Sequence, residues 1–178
     1  MSEKLEGIIR LPLVDEAAQA IKEKGGYQRE LTAQELASIM SGIVIGLTQE
    51  QEAIKALVPA MTVRIEKARG IVGGTVRVES PIQATIKVNC VLDNDAVPNR
   101  IKLVKLDVQQ EAGLAAKIAL KLMNIEGKVR KALQDPNQAL GEALASQLEP
   151  RGVRLTEVGL HFNEQTLAVN LRGGSASP

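Results

Sequence analysis

Apolar residues in the first third of the chain recur with the spacing of amphipathic helices. Residues 14–24 follow this spacing until Gly25 and Gly26, which predict the end of a short first helix. Thr32 and Glu35 have the spacing of a capping box, in which each side chain hydrogen-bonds the backbone N–H of the other residue. A second helix is therefore predicted to begin at Thr32.

The period changes to two after Pro59, and the alternation of apolar with polar residues predicts strands. Gly73–Gly74 is a dipeptide typical of hairpin turns, so we expect the first hairpin to turn there. A slip in the alternation at Val104 predicts a β-bulge. The predicted strands are 61–66, 75–79, 82–92 and 101–108, joined by short links into an antiparallel meander.

Helical spacing returns at residues 112–133, where six aliphatic side chains fall on one stripe. Asp135 followed by Pro136 is typical of a helix start, since aspartate caps the first N–H groups and proline suits the first helical position. The helix that begins there is predicted to end before Pro150. Residues 153–162 and 167–171 alternate again and predict a closing hairpin.

Helices and strands are segregated along this sequence rather than alternating one by one. The predicted class is therefore α+β, with an antiparallel sheet of about six strands packed on long helices. We divide the chain into an N-terminal arm with a short helix at 1–30, a single domain at 31–173 and a flexible tail at 174–178.

No group of residues in the sequence has the spacing of a catalytic or metal site. His161 is the one histidine, and it is expected on the solvent face of a strand because Leu160 and Phe162 point the other way. Cys90 is the one cysteine and is expected to be a buried, unreactive thiol. The glycines of ARGIVGGTVRV lack the lysine of a phosphate-binding loop, and DNDAVPN is interpreted as a turn rather than a calcium loop. We therefore expect binding rather than catalysis, and no cofactor.

Charge and composition narrow the class of partner. The formal net charge is +1 and Tyr27 and Phe162 are the only aromatic residues, so neither electrostatics nor base stacking favours nucleic acid. The interior must be almost wholly aliphatic, which reflects either a bias towards small core residues or a smooth surface suited to acyl chains. The apolar stretch near the N-terminus is too short and interrupted for a signal peptide, so we expect a cytoplasmic protein, peripheral to the membrane if it contacts one.

Four segments of the chain resemble LmeA-like phospholipid-binding domains of the TULIP-like lipid-binding superfamily, over about 140 residues from Glu30 to Gly173. The segments are RELTAQELASIM, IVGGTVRVESPIQATIKVNCVL, KVRKALQDPNQALGEALASQLEPRGV and RLTEVGLHFNEQTLAVNLRG. The resemblance implies a curved sheet wrapped on a long helix as a half-barrel, with a groove for acyl chains and no covalent catalysis. Relatives of this type are exported or anchored in a membrane, and the chain departs from them in showing neither signal.

The first hypothesis is that an apolar, lipid-type ligand lies in a groove between the sheet and the helix predicted at 112–133. Basic residues beside the apolar stripe of that helix would contact anionic headgroups or a membrane surface, although a solvated flank of a core helix is the simpler interpretation. The alternative hypothesis is a structural or interaction protein with a fully packed core that forms a homo-oligomer. The expected apolar lining is Ile86, Val88, Leu103, Leu106, Ile118, Leu122 and Ile125, and the expected headgroup contacts are Lys117, Lys121 and Lys128.

Overall fold

The computed structural model describes residues 12–49, 55–57, 61–80, 83–114 and 124–176. Helices and antiparallel strands in these ranges confirm the predicted α+β class. The helices are α1 (Pro12–Lys24), α2 (Ala33–Gln49), α3 (Ile125–Gln134) and α4 (Pro136–Leu148), and a 3₁₀ turn, Glu149–Arg151, follows α4. The strands are β1 (Gly26–Leu31), β2 (Lys55–Leu57), β3 (Thr62–Glu66), β4 (Arg69–Ser80), β5 (Ala84–Asn94), β6 (Ile101–Ala112), β7 (Val153–Phe162) and β8 (Leu167–Ser175).

The strands form two antiparallel sheets, whereas the sequence predicted a single sheet. The smaller sheet has the order β1-β8-β7, and the larger one has the order β2-β4-β5-β6 with β3 also paired to β4. Strand β1 was not predicted, because GYQREL lacks a clear apolar alternation and owes its conformation to pairing along β8. The longest described helix has 17 residues, so the predicted long helices are not confirmed.

Both predicted helix starts are confirmed by their hydrogen bonds. The backbone N–H of Thr32 donates to Glu35 Oε2 at 2.9 Å, and the backbone N–H of Glu35 donates to Thr32 Oγ1 at 3.3 Å. The bond from the Thr32 N–H is the main reason why the pKa of Glu35 lies below its ordinary value. At α4, Asp135 Oδ1 accepts from the N–H groups of Asn137 and Gln138 at 3.1 and 3.0 Å.

The predicted meander is present, but its first turn was placed wrongly. The hairpin β3–β4 turns at Lys67–Ala68, and both residues have positive φ, 53° and 58°. Gly73 and Gly74 lie inside β4 instead, paired with β5. Such a two-residue turn usually contains Asn-Gly or Asp-Gly, so the sequence Lys-Ala did not predict it.

The bulge predicted at Val104 is confirmed. Leu92 pairs with Leu103 while Val91 pairs with Lys105, so Val104 is the extra residue on β6. The strand then continues to Ala112, which is opposite Ala84. Of the helix predicted from residue 112, Ala112 lies in the strand instead and Leu114 is helical, because β6 pairs along the whole length of β5. Helix α3 covers the last part of that prediction and ends one residue beyond it, and the closing hairpin β7–β8 is confirmed.

Among the described residues, one main core joins both sheets to the helices. Helix α1 contributes Leu13, Val14, Ala17 and Ile21, which share one face and are at most 3% exposed. The main core thus includes residues that precede position 31. Helix α4 contributes a stripe with a period of four, and its packing partner is mainly β7. The stripe consists of Leu140, Leu144 and Leu148.

Asparagine side chains connect the two sheets and α4 where regular strand pairing ends. The Asn94 amide accepts from the N–H of Phe162 at 2.7 Å and donates to its carbonyl oxygen at 3.0 Å. The Asn137 amide does the same for Ile101, at 3.1 and 2.7 Å. The N–H of Leu160 donates to the Asn99 carbonyl at 2.8 Å. These bonds satisfy backbone groups at two strand edges that would otherwise be buried without partners.

Candidate functional site

The larger sheet has one apolar face and one polar face. Along β5, Ile86, Cys90 and Leu92 are buried on one side. Lys87 and Asn89 alternate with them and point to the opposite side. We call the apolar side the inner face, because it is the side that meets the main core. An antiparallel sheet of this kind packs on one side and is solvated on the other.

The half of the inner face nearest the hairpin turn of β3–β4 is filled by the main core. Gly70, Leu92 and Leu103 lie side by side on three neighbouring strands, and the fully buried ring of Phe162 from the smaller sheet lies over Gly70. Leu103 and Leu106 are partly buried and pack against the main core. This half is therefore occupied by protein side chains.

The other half of the inner face differs in its packing. We call it the distal half. Val76, Ala84 and Ile86 are 8%, 6% and 2% exposed, yet among the described residues they do not belong to the main core. Its side chains are aliphatic except for Gln110, and none of those described is ionisable. The distal half comprises Gly74, Val76, Ala84, Ile86, Val88, Val108, Gln110 and Ala112.

Two glycines on the inner face of β4 give neighbouring side chains room. A Cβ on Gly70 would lie 2.5 Å from Phe162 Cζ, and a Cβ on Gly74 would overlap Met61 Sδ. At Gly70 the space is used by a rigid ring of the main core. At Gly74 it is used by a flexible thioether that is only half-buried, at the border of the distal half.

The predicted lining residues and headgroup contacts fall into four groups. Ile86 and Val88 lie in the distal half, opposite Val76 and Gly74 on β4. Leu103 and Leu106 lie on the same face but nearer the main core. Four predicted residues lie outside the described residues: Lys117, Ile118, Lys121 and Leu122. The backbone of Ile125 and Lys128 lies in α3, and their side chains lie outside the described part of the structure.

Sequence reasoning omitted several described members of the distal half from the lining. Val76 and Ala84 were predicted to be in strands, and both alternate in phase with the residues that were chosen. Gly74 was assigned to a turn, so its place on the inner face was missed. The available signal was that Gly70, Gly74 and Val76 are separated by even numbers of residues, which places them on one face of a strand.

The reactive residue types lie where the sequence predicted. Cys90 is buried, and burial raises the pKa of its thiol to about 11. His161 is exposed between the buried Leu160 and Phe162. DNDAVPN forms a turn closed by a 2.8 Å hydrogen bond from the Asp95 N–H to the Arg100 carbonyl. Within the described residues, no three His, Cys, Asp or Glu side chains are grouped so that they could hold a metal ion.

No protein-family model matches the chain, and no curated protein sequence does either. The resemblance to LmeA-like domains therefore stays a prediction. Across the described ranges, every helix is too short or too polar to cross a membrane.

Proposed function

We propose that the protein is a non-catalytic binding protein that holds an apolar, lipid-type ligand against the distal half of the inner face. The observation that carries this proposal is that the buried Val76, Ala84 and Ile86 lie outside the main core as the described residues define it. Buried aliphatic residues in a domain normally form one contiguous core with smaller satellite clusters beside it, and the distal half lies beside the main core in this way. A second aliphatic surface on the same sheet is what a binding site for an acyl chain requires.

The chemistry of the distal half supports an apolar ligand rather than a reactive one. Burial of an acyl chain contributes about 0.8 kcal/mol per CH₂, so a chain of ordinary length needs no charged anchor. The Gln110 amide is half-buried in the same row as Val76 and Ile86, and it has no hydrogen-bond partner among the described residues. It would offer N–H donors and a carbonyl acceptor to the polar end of a ligand, as the few polar groups of apolar pockets commonly do.

The finer features of the proposal rest on the sequence. In the half-barrel that the resemblance implies, Ile118, Leu122 and Ile125 would close the groove from the helical side. Lys117, Lys121 and Lys128 would contact anionic headgroups at its mouth, with the protein peripheral to the cytoplasmic face of a membrane. The supporting pattern is the basic flank beside the aliphatic stripe in residues 112–133.

A pair of matched substitutions on β5 tests the proposed position of the ligand. Val88 and Val91 are both half-buried, but Val88 lies on the inner face opposite Gly74 and Val91 lies on the outer face opposite Ile71. Val88→Asn would bring an amide without partners against an acyl chain, which costs about 1–3 kcal/mol. We expect it to weaken binding of a fluorescent fatty acid roughly tenfold or more, and Val91→Asn to leave binding unchanged.

Circular dichroism and urea unfolding would first show that both variants are folded. Equal binding by the two folded variants would contradict the proposed position. Absence of binding by the wild-type protein would contradict the function itself. In that case the alternative hypothesis applies, in which the aliphatic face is packed core and the protein acts as a homo-oligomeric structural component.

A further inference from the structure

Strand β6 is the edge of the larger sheet, with no partner strand beyond it in the described residues, and helices α3 and α4 contact it. It is 12 residues long, which is long for an edge strand. Its inner-face residues Leu103, Leu106 and Val108 are only half-buried, whereas Ile86 and Cys90 on the neighbouring strand are buried. A long edge of this kind presents backbone N–H and C=O groups that can pair with another strand.

Ile101 shows which residues of β6 direct their backbone N–H and C=O groups outwards, away from β5. Its N–H and C=O point away from β5, because both bond the side chain of Asn137. Alternate residues of an antiparallel strand share this orientation, and the bulge at Val104 shifts the alternation by one residue. Leu106, Val108, Gln110 and Ala112 therefore direct their N–H and C=O groups outwards.

The outer-face side chains of this edge are self-complementary. If two β6 strands pair antiparallel about a two-fold axis at Val108, Lys105 lies opposite Glu111 of the other copy, and Asp107 lies opposite Gln109. The outward backbone groups of Val108 then face each other, and those of Leu106 face those of Gln110. A shift by one residue in either direction about the axis would place Asp107 opposite Asp107 or opposite Glu111, which is repulsive.

We propose that a second copy of this chain pairs with the β6 edge, in the register centred on Val108, to form a two-fold symmetric dimer with a continuous sheet. Lys105 is exposed and has no ion-pair partner among the described residues, so it is available to Glu111 of the other copy. Glu111 already contacts Lys87 on β5, and the pairing would extend this contact into a network across the interface. The inference does not rest on the proposed function, because the pairing uses the backbone and the outer-face side chains of β6; Lys105→Glu tests it without changing the inner face, on which Val108 also lies.

The dimer can be tested by analytical ultracentrifugation over a range of protein concentrations. Lys105→Glu would place two like-charged pairs across the axis, so we expect the dissociation constant to rise about tenfold or more. Lys105→Glu combined with Glu111→Lys should restore dimerisation. Arg77→Glu, the same charge change at an exposed position on β4, should have no effect.

A proline at the axis tests the backbone pairing directly. Val108→Pro removes an outward N–H without removing a bond to β5, which edge strands tolerate. The variant should fold and be monomeric. In the wild-type dimer, hydrogen exchange should show protection of the Val108 amide that disappears on dilution. A wild-type protein that is monomeric at all concentrations would overturn the proposal, as would a dimer that persists in both Lys105→Glu and Val108→Pro.

Discussion

The contact between Gly70 and Phe162 joins the two sheets, and Gly70→Ala tests it. The new Cβ would lie 2.5 Å from Phe162 Cζ and 2.9 Å from Cε1, whereas carbon atoms in ordinary contact are about 3.5–4.0 Å apart. The ring must therefore move by roughly 1 Å, although Phe162 is 0% exposed and closely packed. Overpacking costs about 1–3 kcal/mol, and the stiffer unfolded chain offsets about 0.4–1 kcal/mol. We expect a net loss of about 1–2 kcal/mol in the free energy of unfolding.

Urea unfolding of four proteins measures this contact: the wild type, Gly70→Ala, Phe162→Leu and the double variant. The smaller leucine leaves space for the new methyl group. The double variant should therefore lose about 1 kcal/mol less free energy of unfolding than the two single variants lose together. Gly74→Ala on the same face is the control, since its neighbour Met61 can rotate, and its effect should stay within about 0.5 kcal/mol. Losses at Gly70 and Phe162 that add within about 0.5 kcal/mol would refute the reasoning.

Three further outcomes are expected. Asn137→Ala leaves the N–H and C=O of Ile101 without their partners, so urea unfolding should show a loss of about 2–4 kcal/mol, and a loss below about 0.5 kcal/mol would contradict this role. The hydrogen bond from the Gln138 N–H is the main cause that lowers the pKa of Asp135 below its ordinary 3.8. The stability that this carboxylate contributes is present above that pH and is lost as the pH falls through the folded-state pKa. Asp135→Asn should therefore make the free energy of unfolding less dependent on pH in the acid range. Because burial raises the pKa of Cys90 to about 11, iodoacetamide at pH 8 should modify it at least about a hundredfold more slowly in folded than in unfolded protein, and equal rates would show that the thiol is accessible.

Local signals in the sequence were sufficient for those elements whose ends are determined locally. The capping box at Thr32 and Glu35 and the Asp135–Pro136 start need only side chains within a few residues, and both helices begin there. The bulge at Val104 could be predicted for the same reason, because it shifts the alternation of apolar and polar residues within one strand. The turn at Lys67–Ala68 was not, because neither residue type favours positive φ.

Features that depend on distant pairing could not be predicted. Strand β1 exists because its backbone pairs with β8, about 140 residues further along the chain. The two sheets are joined by contacts such as Asn94 with Phe162, which no local pattern in the sequence indicates. For the candidate site, the alternation in β5 predicted that Ile86 and Val88 share a face, but which part of that face meets the main core depended on the position of the smaller sheet.

The most direct test of the proposed function is native mass spectrometry of freshly purified protein, with organic extraction of bound molecules. The proposal predicts an apolar ligand at a near-stoichiometric amount for each chain, released by extraction and identifiable as a lipid class. The same chain should take up a fatty acid or phospholipid again after it has been stripped. A ligand-free mass, both on isolation and after incubation with phospholipid vesicles, would contradict the proposal and favour a fully packed core.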